Sequence, residues 1–144
     1  MIFAILAFAL LIAVSPPPPY APPDLSGCSL AHGFVIGEAP AVSGMVEIWD
    51  CSGRTIVALN QIRDLPPGSG PVTRYHFSPS PAPGERLMGC RGEDENFDGT
   101  LAITSADGGN RMELRQVWKA DTEKWQFVPG MRTGLICNRG LTTN

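Results

Sequence analysis

The sequence predicts an all-β fold, a small antiparallel meander forming a sandwich or barrel-like domain behind an apolar N-terminal helix and a proline-rich linker. Three observations predict it. Short stretches rich in β-branched and aromatic residues recur after Asp24, separated by Gly/Pro/Asn/Asp turns. Apolar and polar residues alternate within several of them, the period-two mark of a half-buried strand. Helix has no good place in this region; Met112 to Trp118 could be helical by propensity, but Gly108-Gly109 before it offers no cap.

The strands follow in order. In Met45–Cys51, Met45, Glu47, Trp49 and Cys51 share one face and Val46, Ile48 and Asp50 the other. Ser52-Gly53 supplies a turn, and Arg54–Ile62 returns as the second arm of a hairpin. The run from Leu65 to Pro71 is a loop on composition, and Val72–Ser78 alternates again. Arg86–Cys90 and Leu101–Thr104 are short apolar strands on either side of an acidic loop, Arg91–Gly99. Asp107-Gly108-Gly109-Asn110 makes a hairpin turn into Arg111–Lys119, where Met112, Leu114, Gln116 and Trp118 oppose Glu113, Arg115 and Val117. A turn over Ala120–Glu123 leads to Trp125–Val128, and Leu135–Cys137 is the last strand. His32 is expected in a loop and His76 in a strand.

Ahead of this domain the chain is organised differently. Met1 to Val14 is MIFAILAFALLIAV, apolar throughout but short for a hydrocarbon core of about 30 Å. Residues 1–15 therefore read as a secretory signal peptide or a short membrane anchor. Residues 16–27 form a proline-rich linker. Proline fixes φ and pushes each preceding residue out of the helical region, so the linker should be extended. The expected location is exported, periplasmic or extracellular, with membrane contact only through residues 1–15 if they are retained. Leu25-Ser26-Gly27-Cys28 has the look of a bacterial lipidation box, but it is cut off from the apolar run by prolines, and lipidation of Cys28 would leave an odd number of cysteines.

Cys28, Cys51, Cys90 and Cys137 are widely spaced, without the close pairs of a zinc ribbon or a redox motif. Behind an export signal an even count predicts two disulfides within a domain spanning 28–144. Three pairings are open. The 144-residue chain carries a formal net charge of −3, with two lysines and nine arginines spread among fourteen carboxylates. That excludes the concentrated basic surface that nucleic acid requires.

One loop carries recognisable chemistry. Asp94, Asn96 and Asp98 stand at alternate positions, and Gly99 follows. The pattern resembles the first half of an EF-hand-type calcium loop. Short oxygen side chains at that spacing converge as the backbone curls, glycine allows the sharp turn, and the carbonyl of Thr100 would add a ligand. The resemblance implies a weak, extracellular-type calcium site. Ser105 occupies the position where the family has a bidentate glutamate, and the flanks are β rather than helical. The plain alternative is a solvated acidic turn. No nucleophile motif, phosphate loop or close carboxylate pair is present, and with only His32 and His76 a small secreted hydrolase ranks last. The leading expectation is a non-catalytic exported module that binds an envelope or extracellular protein, with calcium-dependent structure or adhesion as the alternative.

Overall fold

The computed structural model describes residues 22–38, 40–92, 97–105 and 113–137. The apolar run Met1 to Val14, most of the proline-rich stretch and the turn expected at Asp107 to Asn110 lie outside these. The described residues are all-β and contain no helix. Among the described residues nine strands form two antiparallel sheets. The four-stranded sheet has the order β1 (Ser29–Ile36), β2 (Gly44–Asp50), β3 (Thr55–Gln61), β4 (Val72–Phe77). The five-stranded sheet has the order β8 (Gln126–Pro129), β7 (Leu114–Asp121), β6 (Thr100–Ser105), β5 (Glu85–Gly92), β9 (Leu135–Cys137).

Strands β2 to β8 fall close to where the alternation puts them. β1 was not expected, and His32 lies within it rather than in a loop. The strand carries a bulge: Leu30 pairs with Trp49 and His32 with Ile48, leaving Ala31 unpaired. Apolar residues occupy both of its faces, Phe34 and Ile36 inward and Leu30 and Val35 outward, which blurs the contrast by which a half-buried strand is recognised. A second bulge, at Arg115, acts on β7. Thr104 pairs with Leu114 but Ile103 with Gln116, so Leu114 joins Val117 on one face instead of Trp118 on the other. The bulged Arg115 reaches across to Glu85, 2.7 Å away, and holds that carboxyl below its ordinary range.

The inner face of the four-stranded sheet consists of rows set by pairing: His32, Ile48, Val57 and Phe77 in one, and Phe34, Val46, Leu59 and Tyr75 in the next. The inner face of the other sheet supplies Leu101, Ala120 and Phe127. All three belong to the same buried cluster as Phe34, Val46, Val57 and Leu59. Phe77 meets Trp118 and Phe127 at ring-centroid distances of 5.1 and 5.2 Å, which ties β4 to β7 and β8. Gly89 leaves room for the Phe34 and Phe97 rings, whose nearest atoms would stand 3.3–3.4 Å from a Cβ there.

Both disulfides join neighbouring strands of one sheet. Cys28–Cys51 closes the open end of β1 and β2, and Cys90–Cys137 joins β5 to β9 at directly opposed positions. The Cα separations are 4.2 and 4.1 Å. Such bonds are consistent with an oxidising environment. The second staples a very short strand, only three residues long, to its sheet.

β9 is the departure from a simple meander. The chain leaves β8 at one edge of the five-stranded sheet and resumes as β9 at the other. Four strand spacings come to about 19 Å, and the path from Pro129 to Leu135 reaches only about 20 Å when fully extended. Residues 130–134 therefore cross as a short strap, which bends at Thr133 and Gly134. Gly130 permits the close passage, since a Cβ there would lie 2.7 Å from Val117 Cγ1.

Leu59 and Leu101 have no exposure at all. Replacing a closed-in leucine by alanine removes transfer free energy and leaves a cavity, so Leu59→Ala should lower unfolding free energy by about 2–5 kcal/mol. Urea unfolding of the oxidised protein, read by tryptophan fluorescence, measures this.

Candidate functional site

Of the four residues predicted to hold calcium, Asp98 and Thr100 are described; Asp94 and Asn96 lie outside the described residues. Asp98 precedes the start of β6. Its Oδ1 accepts the Thr100 hydroxyl at 2.6 Å and the Thr100 backbone N–H at 3.2 Å. Its Oδ2 lies 3.3 Å from Lys119 Nζ. Lys119 pairs with Thr100 in the ladder, so the two side chains share the outer face and the ammonium reaches the carboxylate directly. Both carboxylate oxygens thus have partners. A cation on Asp98 would have to displace Lys119 or share the carboxylate with it. Among the described residues no group of three or more His, Cys, Asp or Glu side chains could hold a metal ion.

Gly99 behaves as the loop pattern requires. Its φ is +88°, in the region that favours glycine, and a Cβ there would stand 2.5 Å from the Ala120 Cβ. The same turn places Phe97 against Phe34, with ring centroids 4.9 Å apart, which anchors the end of the acidic loop in the core.

Asp98, Thr100 and Lys119 also line a cleft of about 260 Å³ on the outer face of the five-stranded sheet. The strap closes its other side with Met131 and Thr133, and Leu135 forms part of the lining. Beside it lies a small second cluster of Cys90, Ala102 and Val117, packed with Leu114, Leu135 and Cys137. Sequence reasoning missed this cleft, because it depends on the crossover. The only local signals were Gly130 and Gly134. The cleft combines an ion pair, threonine hydroxyls and apolar surface, and neither histidine lines it.

A second surface stands out on the outer face of the four-stranded sheet. Pairing sets the rows Leu30, Trp49, Ile56; Gly33, Glu47, Ala58, His76; and Val35, Met45, Asn60, Thr73. The bulge at Ala31 is what puts Leu30 and Val35, five residues apart, on the same face. They are 51% and 52% exposed, with the partly exposed Trp49 and Met45 beside them. Trp49 is fixed by its indole N–H, which donates to Glu47 at 2.9 Å. Asn60 is buried and satisfied, accepting the Thr73 hydroxyl at 2.8 Å. His76 sits in the row of Ala58 and Glu47.

In comparisons with known proteins, no family model matches the chain, and no curated protein or solved structure matches it significantly.

Gly99→Ala tests how tightly the acidic loop is bound to the sheet. An added methyl meets both a positive φ and the Ala120 side chain, so the substitution should cost about 1–3 kcal/mol, seen as a lowered Tm by differential scanning calorimetry.

Proposed function

We propose that the two sheets form a sandwich that serves as an exported, non-catalytic binding module, working on a protein partner in the periplasm or extracellular space. The observation that carries this reading is the exposed aliphatic surface at the β1 edge of the four-stranded sheet's outer face, the outward residues of β3 being closed off. Leu30 and Val35 are aliphatic, half exposed and adjacent to Trp49 and Met45. Burying such a group against a partner yields about 25 cal/mol per Å² of apolar surface removed from water. An aromatic flanked by aliphatics is the composition of an interface core rather than of ordinary surface. The apolar leader and the two disulfides support an exported setting. Leu30→Lys combined with Val35→Lys should abolish capture of a specific partner from envelope extract while leaving the fold intact. Capture unaffected by the double substitution, or no specific partner in repeated trials, overturns the reading.

A second reading, a calcium-dependent structural or adhesive domain, is favoured by the left-handed turn at Gly99 directly after Asp98. The ligands would be Asp94, Asn96, Asp98 and Thr100, with Asp98 exchanging Lys119 for the ion. A ligand that binds only the folded chain stabilises it by about 1.4 kcal/mol at tenfold excess over Kd. On this reading, millimolar calcium raises Tm, magnesium does not, and Asp98→Ala removes the effect. A calcium response that survives in Asp98→Ala would remove Asp98 from the site.

A further inference from the structure

We propose that β1 pairs with β1 of a second copy of this chain, antiparallel about a two-fold axis through Gly33. The proposal rests on reading the Leu30–Val35 face as a binding surface and names its partner.

The first argument comes from comparing the edges. An unprotected edge strand is a template for another strand, and proteins blunt such edges with charge, proline, bulges or shortness. β4 is preceded by Pro71, followed closely by Pro79, and carries an arginine, Arg74, at a bulge. β8 has four residues and ends in Pro129, and β9 has three. β1, like β4, carries a bulge, at Ala31, but it differs from all three in length and composition. It has eight residues, SLAHGFVI, with no proline and no Asp, Glu, Lys or Arg, and among the described strands it pairs with β2 alone.

The second argument is register. Residues opposed across an antiparallel pair must point to the same face. With Gly33 opposite its own copy, the inward-facing His32 meets the inward-facing Phe34. One step further the Ala31 bulge drops out of the count, and outward-facing Leu30 meets outward-facing Val35. Face matching holds for any such two-fold centred on a residue; what the Ala31 bulge adds is that at the Gly33 register the two exposed aliphatics, Leu30 and Val35, oppose each other. Each two-fold pairing places Leu30 of one copy against Val35 of the other, twice over, so that the two apolar faces become continuous. Such a contact is isologous and closes at two copies.

The third argument is charge. The chain is acidic, yet the edge itself is uncharged. The nearest like charges in the paired row are Glu47 and its copy, three strand spacings or about 14 Å apart, beyond a Debye length of about 8 Å at physiological ionic strength. Strand pairing plus two aliphatic contacts makes an interface at the small end of the range, under about 1,200 Å², so association is weak and concentration-dependent.

The test uses the full chain, purified oxidised in mild detergent to cover its apolar N-terminal segment. Opposed residues across a strand pair have Cα atoms about 4.5–5.5 Å apart, a span that a disulfide bridges. A Cβ at Gly33 meets nothing within 4 Å, so Gly33→Cys is tolerated by the monomer. Under mild oxidation Gly33→Cys should give a disulfide-linked dimer, and Ser69→Cys, in an exposed loop, should not. In sedimentation velocity the unsubstituted chain should show a concentration-dependent doubling of mass that Val35→Lys removes, with circular dichroism and Tm confirming that each variant is folded. A Gly33→Cys chain that stays monomeric, or that cross-links no better than Ser69→Cys, overturns self-pairing. So does adduct formation by Gly33→Cys with a different protein in envelope extract. If self-pairing fails while envelope capture still depends on Leu30 and Val35, the binding face stands and only its occupant is wrong. If dimers form and nothing else is captured, self-pairing stands and the reading of a module for a different protein falls.

Discussion

β3 is buried on both faces from Ile56 to Asn60. Val57 and Leu59 face the other sheet, while Ile56 and Ala58 face outward yet are closed off all the same. A strand in that position tolerates no slip, because a shift of one residue would exchange its two faces. It also sets its neighbours. Val46 and Ile48 must oppose Leu59 and Val57, and Tyr75 and Phe77 must do so from the other side. Those aromatics then meet Phe127 and Trp118, and through them the second sheet takes its place. The buried Asn60 is the one polar group of this strand closed off from water, and its bond to Thr73 satisfies it without interrupting the apolar stack.

The bulges work against this regularity at the margins. Each shifts a strand's facing by one residue while leaving the buried centre intact, and each does so where a surface is made. At Ala31 the result is an aliphatic pair on an outer face. At Arg115 it is the meeting of Leu114 with Val117 in the small outer cluster, together with an ion pair to Glu85. Arg74 marks a third, on the edge strand β4. The candidate surfaces lie where pairing departs from the ideal, as expected when a rigid core carries adaptable edges.

The acidic loop illustrates the limits of a local motif. The spacing of Asp94, Asn96 and Asp98 before Gly99 carries the calcium resemblance, and the turn at Gly99 has the backbone that such a loop needs. What the motif could not contain is Lys119, which comes from a different strand and lies beside Asp98 because Thr100 and Lys119 are paired. A local pattern specifies which oxygens are near one another in sequence. It does not specify which cation the fold brings to them.

The sequence by itself determined the all-β class, most of the strands and their buried faces, because period-two alternation and turn residues are local properties of the chain. It determined that four cysteines would form two disulfides but left three pairings open, since pairing depends on which strands become neighbours. β1 escaped notice because apolar residues stand on both of its faces; its edge position among the described strands follows from where β2 pairs. The crossover of β9, the cleft beneath residues 130–134 and the Asp98–Lys119 contact were decided by tertiary structure alone. Each joins residues far apart in sequence, and only the folding of the sheets supplies the geometry that brings them together.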